Sequence, residues 1–168
     1  EAPGRARKLV NAYDVLVSTV RPNRKGVGLA TPDMEGWIAS TGFAVLKPKK
    51  AAISGFLCAV LRHDISTLQM MRWNTGAAYP AIDEDVPLQV LIPDPGESNR
   101  KQISLRYEQS LALLNWSIRL IEEAKADVEA LIEGRLDVAG IMDGVLQPPT
   151  WASIQQELSL TKSVSEPV

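Results

Sequence analysis

The sequence predicts an α+β domain, a small mixed sheet with flanking helices, followed by one long coiled-coil-type helix. Three observations carry that expectation. Strand-like apolar runs at 13–20, 37–46 and 86–92 enclose a helical period at 51–62, with no regular strand–helix alternation. From Asn99 to Glu133 there is neither glycine nor proline. Within that stretch Leu111, Leu114, Ile118, Ile121, Lys125, Val128 and Ile132 follow one another at alternating spacings of three and four, and Tyr107 extends the series upstream. With 168 residues, 45% of them hydrophobic, the chain can bury a core without disulfides or metals.

The elements follow from local chemistry. Residues 13–20, Tyr-Asp-Val-Leu-Val-Ser-Thr-Val, are β-branched and read as a buried strand that Pro22 terminates. A second short strand is expected at 28–30, then a turn at Thr31-Pro32-Asp33. Residues 37–46 read as one strand stopped by Pro48, with a bulge at Gly42. Ile53, Phe56, Leu57, Val60 and Leu61 give the 51–62 helix its apolar face, and His63 is expected to serve the dipole at its C-terminal end. Asp64 or Ser66 caps a second helix through Met71. A loop at 74–81 leads to a strand at 86–92, closed by Pro93-Asp94-Pro95-Gly96.

The long helix, about 50 Å by its rise, ends at Gly134. Besides the heptad seam it carries a second stripe, Leu105, Leu113, Trp116 and Leu120, so it must contact two things. One is expected to be the domain body and the other a partner helix, with Lys125 specifying register. The expected organisation is a domain at 1–98, the helix at 99–134, and an extension at 135–168 with a short amphipathic helix at 151–160.

Several classes of chemistry are excluded. A single cysteine, Cys58, and a single histidine, His63, argue against a zinc site or a disulfide framework. No phosphate loop, nucleophile elbow or nucleophile–base–orienter set is present, so no catalytic residue and no metal ligand is expected. No apolar run is long enough to span a membrane. Binding remains. The formal net charge is −2, yet residues 1–50 hold nine Lys/Arg against four Asp/Glu. Clustered cations matter more for phosphate than the overall sum. Arg21, Asn23, Arg24 and Lys25 place forked donors and an amide at a strand end, a combination suited to phosphates and base edges. Lys47 adds a cation, and Arg72, Asn74, Thr75 and Tyr79 form a second polar, basic and aromatic group on a loop. The competing reading is a solvated face and ordinary turn chemistry.

Three blocks in order carry a resemblance: Asp14-Val15-Leu16-Val17-Ser18-Thr19-Val20-Arg21-Pro22, then Ile38-Ala39-Ser40-Thr41-Gly42-Phe43-Ala44-Val45-Leu46, then Thr75-Gly76-Ala77-Ala78-Tyr79-Pro80-Ala81-Ile82 leading to Ile92-Pro93. Together with the helix that follows, they resemble the target-recognition domain and spacer helix of specificity subunits in type I restriction–modification systems, over about residues 5–135. The resemblance implies a partial recognition domain at 1–98 that reads double-stranded DNA without catalysis. It implies a spacer helix that pairs with a second spacer helix and docks a DNA methyltransferase subunit. S-adenosylmethionine is expected in that partner and no cofactor in this chain, and the setting is a bacterial or archaeal cytoplasm. The alternatives are the C-terminal recognition region of a larger DNA adenine methyltransferase, or a coiled-coil interaction subunit that no longer reads DNA.

Overall fold

The structure is a computed structural model that describes Gly4, residues 6–76 and 78–135, Ala152 and Gln156. Five strands are present among the described residues: β1 (Ala6–Leu9), β2 (Val15–Ser18), β3 (Val27–Leu29), β4 (Ile38–Ser40) and β5 (Phe43–Leu46). Three α-helices follow, α1 (Ser54–Leu61), α2 (Asp64–Met71) and α3 (Glu97–Ile132), with short 3-10 turns at Pro22–Arg24, Pro32–Met34, Ala51–Ile53 and Val86–Gln89. The α+β class therefore holds, and the strands divide into two antiparallel sheets, β1–β4 and β3–β2–β5. The chain divides at Glu108/Gln109, inside α3, into two units.

The three-stranded sheet is organised by β2. Val15 and Val17 point to one face and are fully buried, as the period of two requires, and Leu16 and Ser18 are half-buried on the other. Val15 faces Leu29 on β3 and Leu46 on β5, while Ser18 faces Phe43. Phe56, Cys58 and Leu61 of α1 and Met70 of α2 complete the core. Burial pushes the Cys58 thiol up to about 12, a buried structural thiol.

The start of α1 is completed from α3. Ile53 precedes α1 and offers no side-chain cap; the Ser54 amide donates to the Ala51 carbonyl of the preceding 3-10 turn, and the amides that follow need other partners. The Phe56 amide donates instead to Ser104 Oγ of α3 at 2.9 Å, in a fully buried site. The approach is possible because residue 55 has no side chain: a Cβ there would lie 2.6 Å from the Ser104 carbonyl oxygen and 2.8 Å from its Cα.

Four expectations change. Residues 37–46 are two strands, not one bulged strand. The chain turns at Thr41-Gly42, β4 joins β1 and β5 joins β2, and the Thr19 amide donates to the Gly42 carbonyl at the crossing. Residues 86–92 form no strand. Pro87 lacks the ladder donor, Val86 and Pro87 are buried in a 3-10 turn, and Leu88 and Leu91 are exposed at 73% and 83%. Strand β1 was not anticipated, since Ala-Arg-Lys-Leu contains no β-branched residue. His63 belongs to α2 and not to the end of α1: its Nδ1 accepts from the Ile65 amide as the N-cap. The expected helix at 151–160 lies outside the described residues except for Ala152 and Gln156, which are helical.

Candidate nucleic-acid interface

The two polar groups singled out in the sequence, separated by some fifty residues, meet at one end of the three-stranded sheet. Beyond β2 the chain continues as an isolated antiparallel bridge, Val20 to Ala81. The Ile82 amide donates to the Thr19 carbonyl at 2.9 Å, and the Arg21 amide donates to the Pro80 carbonyl at 2.7 Å. These bonds lay the 74–82 loop alongside the 20–25 turn. The Arg21 guanidinium stacks on the Tyr79 ring, 4.3 Å from its centroid. The turn packs on α2, whose end is followed by exposed Arg72 and Trp73.

The 20–25 turn is built unusually. Arg21 (φ 51°) and Lys25 (φ 54°) bracket the Pro22–Arg24 3-10 turn, both left-handed. Pro22 is buried and locks the turn, which leaves Asn23 and Arg24 exposed. Among the described residues, no hydrogen bond or ion pair engages the side chains of Arg21, Asn23 or Arg24. Lys25 is different: it pairs with Asp64 at 2.5 Å, and this hydrogen bond lowers the Asp64 carboxyl below its ordinary range. Lys25 is thus half-neutralised where Arg21 and Arg24 are not.

The 74–82 loop is closed by its own polar side chains. Asn74 Oδ1 accepts from the Gly76 and Ala81 amides, and its Nδ2 donates to the Gly76 carbonyl. Thr75 donates to the Ala81 carbonyl through both its amide and its hydroxyl. Gly76 is required for closure, since a Cβ there would lie 2.4 Å from the Tyr79 carbonyl oxygen. Asn74 and Thr75 therefore hold the loop in the shape that presents Tyr79.

Lys47 does not join this cluster. β5 runs antiparallel to β2, so Lys47 follows the residue paired with Val15, at the opposite end of the sheet from Arg21. Trp73 was not singled out in the sequence but stands exposed beside Arg72, lining a cleft with Gln69, Val86, Gln89 and Leu91. Gln69 fixes the far wall of that cleft by donating to the Leu91 carbonyl and accepting from its amide. Among the described residues no cluster of histidine, cysteine or acidic side chains could hold a metal ion, and no helix is long and apolar enough to cross a membrane.

On α3, Tyr107 and Leu111 are half-buried. Leu114, Ile118, Ile121, Val128 and Ile132 are exposed, from 51% to 80%. Lys125 pairs with Glu122 on the same helix at 2.6 Å. This is an apolar stripe in water with a charged interruption.

A two-sheet α+β domain with an arginine-rich rim, running into a 36-residue helix with an exposed heptad seam, defines a class. Over 79% of its length the chain is similar to the specificity subunits of type I restriction–modification systems, a likeness that supports a target-recognition domain with a spacer helix. It is 34% identical to the HsdS subunit from Thermoanaerobacter tengcongensis, with a TM-score of 0.56. It is equally 34% identical, with a TM-score of 0.57, to a chain from a structure described as the basis of complex assembly and conformational transition of the type I R-M system. The chain spans 35% of the length of each of these proteins. No protein-family model and no curated protein matches it.

Proposed function

We propose that this chain is a non-catalytic DNA sequence-recognition module of a restriction–modification system, which positions a methyltransferase partner on double-stranded DNA. The supporting observation is the meeting of Arg21 and Tyr79, with Asn23 and Arg24 exposed on the same turn, at one rim of a domain that is 34% identical to type I specificity subunits. Arginines with unengaged donors beside an exposed amide suit phosphates, which set register, and base edges, which set sequence. In this reading Asn74 and Thr75 act by shaping the loop, Lys25 contributes a screened charge, and Lys47 makes at most a peripheral phosphate contact.

The α3 seam, Tyr107 through Ile132, pairs with a second spacer helix in another copy or another chain. Methyl transfer from S-adenosylmethionine belongs to the partner subunit. The cytoplasm of a bacterium or archaeon is the setting for such a system.

The test is fluorescence-anisotropy binding of the chain to random-sequence duplex DNA across a salt series, alone and with a type I methyltransferase subunit. Binding that weakens with salt, sharpens with the subunit and is lost in an Arg21→Ala/Arg24→Ala variant of unchanged stability is expected. Absence of binding at low salt in both conditions overturns the reading.

A further inference from the structure

The rim contains one cation whose orientation is fixed while its donors stay free. The Arg21 guanidinium carbon lies over the Tyr79 ring, 4.3 Å from its centroid, so the group is held against an aromatic face. Its backbone is anchored to the same strip of chain, through the hydrogen bond its amide donates to the Pro80 carbonyl and the Val20–Ala81 bridge. The loop that carries Tyr79 is locked by the Asn74 amide group and by the close approach at Gly76. Among the described residues, no carboxylate or carbonyl occupies the guanidinium donors. Stacking uses only the π-face of a guanidinium and leaves its N–H fork unused in the plane. A fork held in advance loses little freedom on binding, which favours a directional contact over a diffuse phosphate contact.

We infer that Arg21 reads one guanine in the DNA site through its paired N–H donors, and that Tyr79 is a positioning residue that holds the guanidinium for it. Guanine presents the O6 and N7 acceptor pair that matches the fork. Tyr79 acts through its ring and not through its hydroxyl, since the ring is what the guanidinium covers. The inference rests on the DNA-recognition reading above.

Selection from a random-sequence duplex pool, followed by binding to the selected site and its single-base variants, tests it with the parent chain, Arg21→Ala, Tyr79→Leu and Tyr79→Phe. The parent is expected to require one guanine by at least about fivefold. Arg21→Ala erases the preference at that base pair and leaves the others. Tyr79→Leu reduces it at the same base pair, and Tyr79→Phe restores it. Thermal melting of each variant separates these effects from misfolding. Uniform weakening by Arg21→Ala across all sequences makes Arg21 a phosphate contact and overturns the inference while leaving the DNA-binding reading intact. So does a Tyr79→Leu variant that discriminates like the parent. Failure of the parent chain to bind DNA at all overturns both.

Discussion

Replacing Ser104 with alanine isolates the bond by which α3 caps α1. The hydroxyl accepts from the Phe56 amide at 2.9 Å, and both residues are 2% exposed. Alanine fills nearly the same volume, so little cavity arises, but the Phe56 donor is left buried with nothing to bond. An orphaned buried donor costs about 1–3 kcal/mol, and loss of a helix cap costs about 0.5–2 kcal/mol. The two ranges describe the same event and overlap near 1.5 kcal/mol, roughly the expected loss. For a cooperative unit of about one hundred residues, that lowers the Tm by about 6–12 °C. Urea unfolding followed by circular dichroism measures the loss, and hydrogen exchange at the Phe56 amide locates it. Gln102→Ala, an exposed change on the same helix, is the control. A Ser104→Ala loss no larger than that of the control, or an unchanged Phe56 exchange rate, refutes the capping argument.

Gly55→Ala pushes a methyl group against backbone that cannot swing aside. It should cost about 1–3 kcal/mol, less the roughly 1 kcal/mol that alanine gains in helix propensity, measured in the same titration. Burial raises the Glu108 carboxyl above its ordinary range, so the folded state holds the proton more tightly than the unfolded chain does. Stability is then fullest below the unfolded carboxyl range and falls as pH rises through the raised folded value. Glu108→Gln should match the parent in acid and exceed it at neutral pH, read as Tm against pH. The Cys58 thiol, pushed up to about 12 by burial, should resist iodoacetamide at pH 8 until the domain is unfolded, as mass spectrometry reports. Leu114→Asp with Ile121→Asp should abolish any assembly through the seam at unchanged helicity, checked by sedimentation and circular dichroism.

What was legible in the sequence was local. The alternating burial of Val15 and Val17 is written in a β-branched run, and the α1 face in a helical period, because both depend on neighbours a few residues apart. Residues 37–46 misled because apolar continuity carries no mark of a change of sheet. The decisive bond there, from Thr19 to Gly42, joins residues twenty-three positions apart. Residues 86–92 misled because valine and leucine look the same in a sequence whether buried or exposed, and Pro87 removes a ladder donor from the run. The site was half legible. Arg21 and Tyr79 could each be picked by residue type, but their stacking depends on the Val20–Ala81 bridge, which no local pattern encodes. Asn74 stands out as part of a polar, basic and aromatic loop group, but its amide group closes its own loop.

The left-handed backbone at Arg21 and Lys25 has a consequence for anyone engineering this chain. L-residues with side chains adopt that conformation at a cost of about 1–2 kcal/mol each, and glycine or asparagine adopts it more readily. A campaign that ranks variants by thermal stability alone would enrich glycine at both positions. It would thereby discard the cations that the turn displays. Libraries built on this scaffold should hold 21 and 25 fixed and seek their stability elsewhere.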